Sequence, residues 1–305
     1  MAHEVDIPES PADRARRLAG EPWFQIGGGN ARPHLARTFT EVLAYRELLG
    51  LLVRRELKAK YKDSSLGLLW TLIRPLVTLL VYFVAIGHFL GAARSIPDFA
   101  IYVFTGLITW QLFTEIVTLG SASILTNAGL VKKVYLPREV FPLSVVGSSL
   151  VNFAMQFVVL LAACLLLGKF PTGDRLLYFP LAILCIVVWA YALSLVLSSA
   201  TVYFRDTTYL VEVALTILFW ICPIVYSWTF VANVISGPAL EAYLWSPTTV
   251  SVLAMQHAFW IAGDTMAWPD GLTTRLLVLI VVGLGALLAG QWVFTRAQAN
   301  FAQEL

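Results

Sequence analysis

LYFPLAILCIVVWAYALSLVLSSATV, residues 177–202, contains no charged side chain. A helix of ~20 apolar residues rises through the ~30 Å hydrocarbon core of a bilayer, and this run exceeds that length. In lipid each backbone N–H and C=O must be bonded inside the segment, so the run reads as a helix. Working outward, residues of the same character fill approximately 70–91, 99–119, 140–167, 210–228 and 273–294. The chain therefore reads as an all-α integral membrane protein with six transmembrane helices.

Composition agrees. The chain is 58% apolar and 13% charged, against about 25% charged residues in soluble domains. The net charge of +2 gives no reason to expect a polyanionic partner such as nucleic acid. Cys164, Cys185 and Cys222 lie inside apolar runs and read as small hydrophobes. The sequence has no GxxxxGK[ST] loop, no HExxH and no Cys/His cluster, so no nucleotide, metal or catalytic residue is expected on this chain. His3, His34, His88 and His257 are scattered, the last two expected near the outer interface.

Residues 1–40 carry Pro8, Pro11, Pro22, Pro33 and three consecutive glycines from Gly27, and read as a largely irregular, cytoplasmic arm. They include no early apolar run, so the first span itself is expected to direct insertion. Residues 41–62 read as an amphipathic helix. Val42, Tyr45, Leu49, Val53, Leu57 and Tyr61 recur at three- and four-residue steps, with Arg46, Arg54, Arg55, Glu56, Lys58 and Lys62 between them. Such a helix suits the membrane interface; packing on a protein surface is the alternative. Residues 63–305 form the transmembrane domain.

Even spans with a cytoplasmic N-terminus put 17 of the 21 lysines and arginines inside, as the positive-inside rule requires. Residues 229–272 hold Glu241, Asp264 and Asp270 but no Lys or Arg, as an external segment should. They are half apolar, and Pro238 and Pro247 cut them into pieces too short to span. Short re-entrant external helices fit this pattern; a plain external loop with surface helices is the alternative.

Two loops on the cytoplasmic side stand out. Residues 127–139 interleave Leu130, Val131, Val134 and Tyr135 with Lys132, Lys133 and Arg138. The cations alone anchor topology; the apolar residues between them suggest a surface that packs on a partner. Arg205 and Asp206 at a tight turn read as a polar cap and a second partner contact. Glu115 and Glu212 are ionisable groups within spans, both expected to reach the interface. So few acids argue against a proton relay. Aromatics are abundant, and Tyr82, Phe83, Trp110, Phe113, Phe219, Trp220, Tyr226 and Trp228 are the candidates for a channel lining, with Trp189 and Tyr191 beside them. Aromatic planes accept the C–H faces of sugars without a deep well.

Arg55–Trp70, reading RELKAKYKDSSLGLLW, followed by Arg74-Pro75-Leu76, resembles the opening signature of ABC-2 type permeases of polysaccharide export. These are the membrane subunits of O-antigen, teichoic acid and related glycan exporters. The segment from Asn127 to Pro142, Phe204-Arg205-Asp206, and the tail from Phe294 to Leu305 resemble the family in the same order. The likeness covers about residues 45–305. One departure falls at the external end: Ser246-Pro247 and His257 stand where the family often has Asn-Pro and an arginine some ten residues on.

The resemblance implies a homodimer in the bacterial cytoplasmic membrane, both termini cytoplasmic, bound to two copies of an ATP-binding cassette subunit. ATP and Mg would sit on that subunit, and this chain would bind no cofactor and catalyse nothing itself. Residues 41–62 would be an interface or gate helix, with Arg54, Arg55, Lys58, Lys60 and Lys62 attracting a diphosphate lipid or membrane headgroups. Residues 127–139 would couple to the ATPase. The cargo would be a polyprenyl-diphosphate-linked glycan of the O-antigen, teichoic acid or galactan class. The alternatives are export of a small lipid or drug, and a membrane-embedded glycosyltransferase using Asp264 or Asp270 as base.

Overall fold

The computed structural model describes residues 45–61, 67–133 and 136–305. The 1–40 arm, Lys62, Val134 and Tyr135 lie outside the described residues. All regular structure among the described residues is helical. The helices are α1 (Arg46–Tyr61), α2 (Trp70–Tyr82, prolonged by a π-helical stretch, Phe83–Phe89), α3 (Ala92–Ser95), α4 (Phe99–Thr126), α5 (Ala128–Lys133), α6 (Val140–Leu166), α7 (Tyr178–Tyr203), α8 (Thr207–Ile221), α9 (Trp228–Val234), α10 (Pro238–Leu244), α11 (Pro247–Phe259), α12 (Leu272–Ala297) and α13 (Phe301–Glu304).

Five helices are long and apolar enough to cross a membrane: Trp70–Phe89, Phe99–Thr126, Val140–Leu166, Asp174–Tyr203 and Leu272–Asn300. The expected sixth, 210–228, is shorter than its apolar run. The structure ends α8 at Ile221, because Pro223 forces Cys222 into the extended region, φ −74° and ψ 142°. The 15 residues of α8 rise only about 22 Å, less than the hydrocarbon thickness. The chain after it runs irregularly. Its freed carbonyls find donors nonetheless: Tyr102 Oη donates to Pro223 O (3.0 Å) and Tyr226 O (2.7 Å), and Gln256 Nε2 donates to Pro223 O (3.0 Å). Irregular backbone at membrane depth is tolerated where protein satisfies it in this way.

α4 is the hub. It packs against α2, α6, α7, α8 and α11, and α7 packs in turn against α11 and α12. Residues on every side of α4 are buried, from Phe99 through Ile116. Its hydroxyls turn back on the preceding helical turn, Thr105 Oγ1 to Ile101 O at 2.6 Å and Thr109 Oγ1 to Thr105 O at 2.8 Å. They therefore present no unsatisfied group to the apolar surroundings. Asp98 opens α4 in the left-handed region at φ 50°, which Asp tolerates better than most residues, and its carboxylate pairs with Lys169.

The 229–272 stretch folds into α9, α10, α11 and a 3₁₀ turn, Ile261–Thr265. α11 is not a surface helix: almost every residue from Thr248 to Phe259 is buried. At one end Thr248 accepts a hydrogen bond from Cys222 Sγ (3.2 Å), at the break after α8. At the other, Trp260 Nε1 donates to Pro97 O (2.6 Å), just before α4. α11 thus lies beside one half of α4, as a re-entrant helix does. Cys222, expected within a helix, instead marks this break.

Candidate functional site

Two sites emerge at different levels of the bundle. The first is a platform at its basic end. Leu52 of α1, Ile124, Val131 of α5, Val140, Phe141, Leu195, Val202, Phe294 and Phe301 form a buried cluster of their own. Seven helices, α1, α4, α5, α6, α7, α12 and α13, each contribute side chains to it. The Phe294 and Phe301 rings meet edge to face at 5.6 Å and fold the chain end back onto the bundle.

This platform sorts the expected coupling residues. Lys132 and Lys133 point outward, and Leu130 is half-buried. Val131 is 7% exposed; it faces the cluster and anchors α5, contrary to its expected place on a partner-facing surface. Arg138 lies over the Phe301 ring, 5.7 Å from its centroid, so its charge is turned to the tail. Arg205 and Asp206 are exposed. Asp206 occupies the N-cap position of α8, but its side chain makes no capping hydrogen bond, so the expected polar cap is absent.

One face of α1 packs on α6 of the same chain. Its closeness depends on Gly147, where an added Cβ would stand 2.8 Å from Val53 Cγ2. Glu56 accepts hydrogen bonds from Ser144 (2.5 Å) and Ser148 (2.9 Å). Arg55 bonds Asn127 at the end of α4. Arg54 and Lys58 remain exposed. Lys60, expected to attract a diphosphate or lipid headgroup, pairs with Glu115 at 2.9 Å. Glu115 is 8% exposed and takes a second hydrogen bond from Asn152 Nδ2 at 2.5 Å. α1, α4 and α6 are therefore pinned together by one carboxylate.

Lys60→Met is expected to destabilise the folded protein by about 1–3 kcal/mol, because removing the part-exposed lysine leaves the buried Glu115 carboxylate without its ion-pair partner. Adding Glu115→Gln should recover most of the loss. A double-mutant cycle on thermal unfolding in detergent reads the coupling, and additive losses would refute the pin.

Burial lifts the Glu56 carboxyl above the usual range, and the Ser144 and Ser148 hydroxyls and the Arg55 charge offset only part of this. The folded state thus holds that proton more tightly than the unfolded chain. The stability it contributes is full below about pH 4.5, the ordinary carboxyl value, and is lost as pH rises through the raised value. Thermal unfolding followed from pH 4.5 to 7.5 should show a smaller fall for Glu56→Gln than for the unaltered protein.

The second site is an open groove of about 460 Å³ between α2, α4 and α8, lined by Tyr82, Trp110, Thr114, Thr118, Glu212, Leu215, Thr216, Phe219 and Trp220. Four of the eight aromatics expected to line a channel meet in it. The Phe219 ring sits 5.9 Å from Tyr82, nearly parallel, and 5.7 Å from Trp110, edge on. Phe113 is buried behind Trp110, their centroids 5.6 Å apart. Phe83 is exposed on the π-helical stretch of α2 and does not line the groove. Tyr226 and Trp228 are used elsewhere: Tyr226 Oη donates to Trp220 O (2.9 Å) and Ile221 O (2.6 Å), and Trp228 Nε1 to Ala267 O (2.9 Å). Trp189 is likewise structural, donating to Leu279 O at 2.9 Å.

Sequence reasoning missed the polar half of the groove. The signal was present: Trp110, Thr114 and Thr118 on α4, and Glu212, Thr216 and Trp220 on α8, each recur at four-residue steps and so share one helix face.

At the opposite end, the acids of the external segment meet arginines from elsewhere. Arg175 pairs with Asp264 at 2.9 Å and donates to His257 O at 2.8 Å. Its guanidinium lies at the α11 end, where this chain has His257 instead of the arginine that the resemblance would place there. Arg275 bonds both Glu241 oxygens, at 2.8 and 3.2 Å, and lies over the Trp245 ring at 5.1 Å. No group of acids, histidines and cysteines among the described residues is arranged to hold a metal.

The sequence that builds the groove is matched by a family model. The ABC-2 type transporter model covers residues 47–260. The chain belongs to that family. It is 31% identical over 271 residues to an O-antigen export system permease protein of Myxococcus xanthus, covering 89% of this chain and all of the relative. A permease of the same description from Klebsiella pneumoniae is 26% identical over 263 residues, 85% of this chain and 95% of its own. A capsule polysaccharide export inner-membrane protein of Neisseria meningitidis serogroup B is 26% identical over 261 residues, 81% of this chain and 92% of its own. These relatives are matched along nearly their whole length, and every residue lining the groove, from Tyr82 to Trp220, lies within the family match.

Proposed function

We infer that this chain is the permease subunit of an ATP-driven exporter that moves a polysaccharide across the bacterial inner membrane. The observation that carries the reading is the groove of α2, α4 and α8, where aromatic planes alternate with hydroxyls on an ABC-2 fold. Stacking on such planes tolerates a repeating polymer. The cargo would be a polyprenyl-diphosphate-linked glycan of the O-antigen, teichoic acid or galactan class.

The groove is open on one side, and α2 and α8 leave Leu76, Leu80, Val213 and Ile217 exposed beside it. A second copy of the chain would close it into a channel, with lipid covering the remaining apolar face. Two ATP-binding cassette subunits would carry ATP and Mg and dock on the platform through Leu130, Lys132, Lys133, Arg205 and Asp206. In this reading both termini are cytoplasmic and hydrolysis belongs to the partner. ATP binding must favour the open and closed channel unequally to do work.

The experiment is ATP hydrolysis by the chain co-purified with its ATP-binding subunit in lipid, with and without a polyprenyl-linked glycan. Glycan should stimulate hydrolysis, and Trp110→Ala with Phe219→Ala should cut the stimulation by about thirty-fold or more, since stacking of a flat ligand contributes ~1–3 kcal/mol per aromatic ring where nucleic-acid bases stack. An exporter that ignores glycan and responds to small lipids would overturn the reading.

A further inference from the structure

The groove carries one charged side chain among its lining residues, and that charge is negative. Glu212 sits on α8 one turn before Thr216 and two before Trp220, on the groove face. Among the described residues, no lysine or arginine lines the groove. Glu115, the other carboxylate within the α4 and α8 spans, pairs with Lys60 and does not line the groove. Glu212 has no salt-bridge partner among those formed by the described residues, and it is exposed to the groove.

We propose that Glu212 sets the charge class of the cargo, admitting neutral or amino-bearing glycans and excluding glycans that carry an anion in every repeat. This rests on the exporter reading above and names the substrate class of the same groove. Carboxylate oxygens accept hydrogen bonds from sugar hydroxyls, as they do from any O–H donor. An acidic sugar or a phosphodiester passing the same point meets a like charge on the groove wall, and beside a protein surface the repulsion is several times stronger than in bulk water. Pairing two copies of the chain doubles the effect, because each contributes a Glu212. Aromatic planes are indifferent to this distinction. They hold the C–H faces of charged and neutral sugars alike, so the carboxylate supplies the discrimination they lack. Specificity built by an opposing charge needs no extra attraction for the preferred cargo.

The test uses the complex of the chain with its ATP-binding subunit in proteoliposomes. Two probes are compared: a polyprenyl-diphosphate-linked neutral hexose oligosaccharide, and the matching oligosaccharide with one uronic acid per repeat. The readout is the ratio of their stimulations of ATP hydrolysis, acidic over neutral, which is insensitive to a general loss of activity. For the unaltered protein the ratio should be below about 0.1, from a like-charge penalty at close range. Glu212→Gln should bring it near one, and Glu212→Lys should raise it above one. High salt should raise the ratio for the unaltered protein and leave that of Glu212→Gln in place. Equal stimulation of the unaltered protein by both probes overturns charge selection and leaves the exporter reading standing. Low ratios in all three proteins overturn the assignment to Glu212. Stimulation by neither probe overturns the exporter reading itself, and this proposal with it.

Discussion

Gly120→Ala is expected to lower the stability of the protein by about 1–3 kcal/mol, the usual cost of forcing extra volume into a packed interface. Among the described residues α4 and α7 make the most extensive helix contact, and Gly120 lies in it against Ser194. A Cβ added there would collide with Ser194 Oγ and stand 2.8 Å from Ser194 Cβ. In lipid, helices have no hydrophobic drive toward one another and associate through close packing at small residues. The reciprocal change isolates the cause. The Ser194 hydroxyl is buried and makes no hydrogen bond, so Ser194→Gly forfeits none. The double variant Gly120→Ala, Ser194→Gly exchanges the two groups across the interface and should recover most of the lost thermal stability in detergent. A double variant no better than Gly120→Ala alone would refute the steric account.

The crossing helices were legible because hydropathy and length together decide them. The runs at 99–119 and 140–167 needed only extension or trimming at their ends. The fifth run failed for a physical reason. Residues 222–226 are as apolar as a helix, but Pro223 takes them out of helical geometry, and hydropathy does not register conformation. What satisfies the broken backbone, Tyr102 and Gln256, comes from other helices. The same limit hid the role of Lys60. Its basic character was plain, but Glu115 is 55 positions away, and no local pattern predicts a pair over that separation. Half of the aromatic set reached the groove. Tyr226 and Trp228 did not, because their polar edges serve carbonyls at the end of α8 and at Ala267 in the irregular chain. The groove's polar stripe was readable from the spacing of Trp110, Thr114 and Thr118 and of Glu212, Thr216 and Trp220, but only when the two helices are viewed as facing each other.

Val131→Asp is expected to abolish glycan-stimulated ATP hydrolysis while leaving the crossing helices folded. Val131 is the buried side chain of α5, and it joins that short helix to the cluster that also holds Leu52, Phe294 and Phe301. A carboxylate cannot stay ionised in that cluster without a partner, and neutralising it or expelling it costs several kcal/mol. α5 has six residues, too few to be stable alone, so the cheapest relief is its detachment from the platform. The large cluster around α4 and α7 is separate from this one and should persist, which unfolding followed by circular dichroism would register. Lys132→Glu with Lys133→Glu provides the contrast. Both lysines point outward, so this pair should leave stability nearly unchanged. It should weaken association with the ATP-binding subunit by about ten-fold, and the loss should shrink as salt rises. Equal effects of Val131→Asp and the lysine pair on stability would mean that α5 is not anchored through Val131. Normal coupling in Val131→Asp would mean that force enters the bundle elsewhere, with Arg205 and Asp206 the next residues to test.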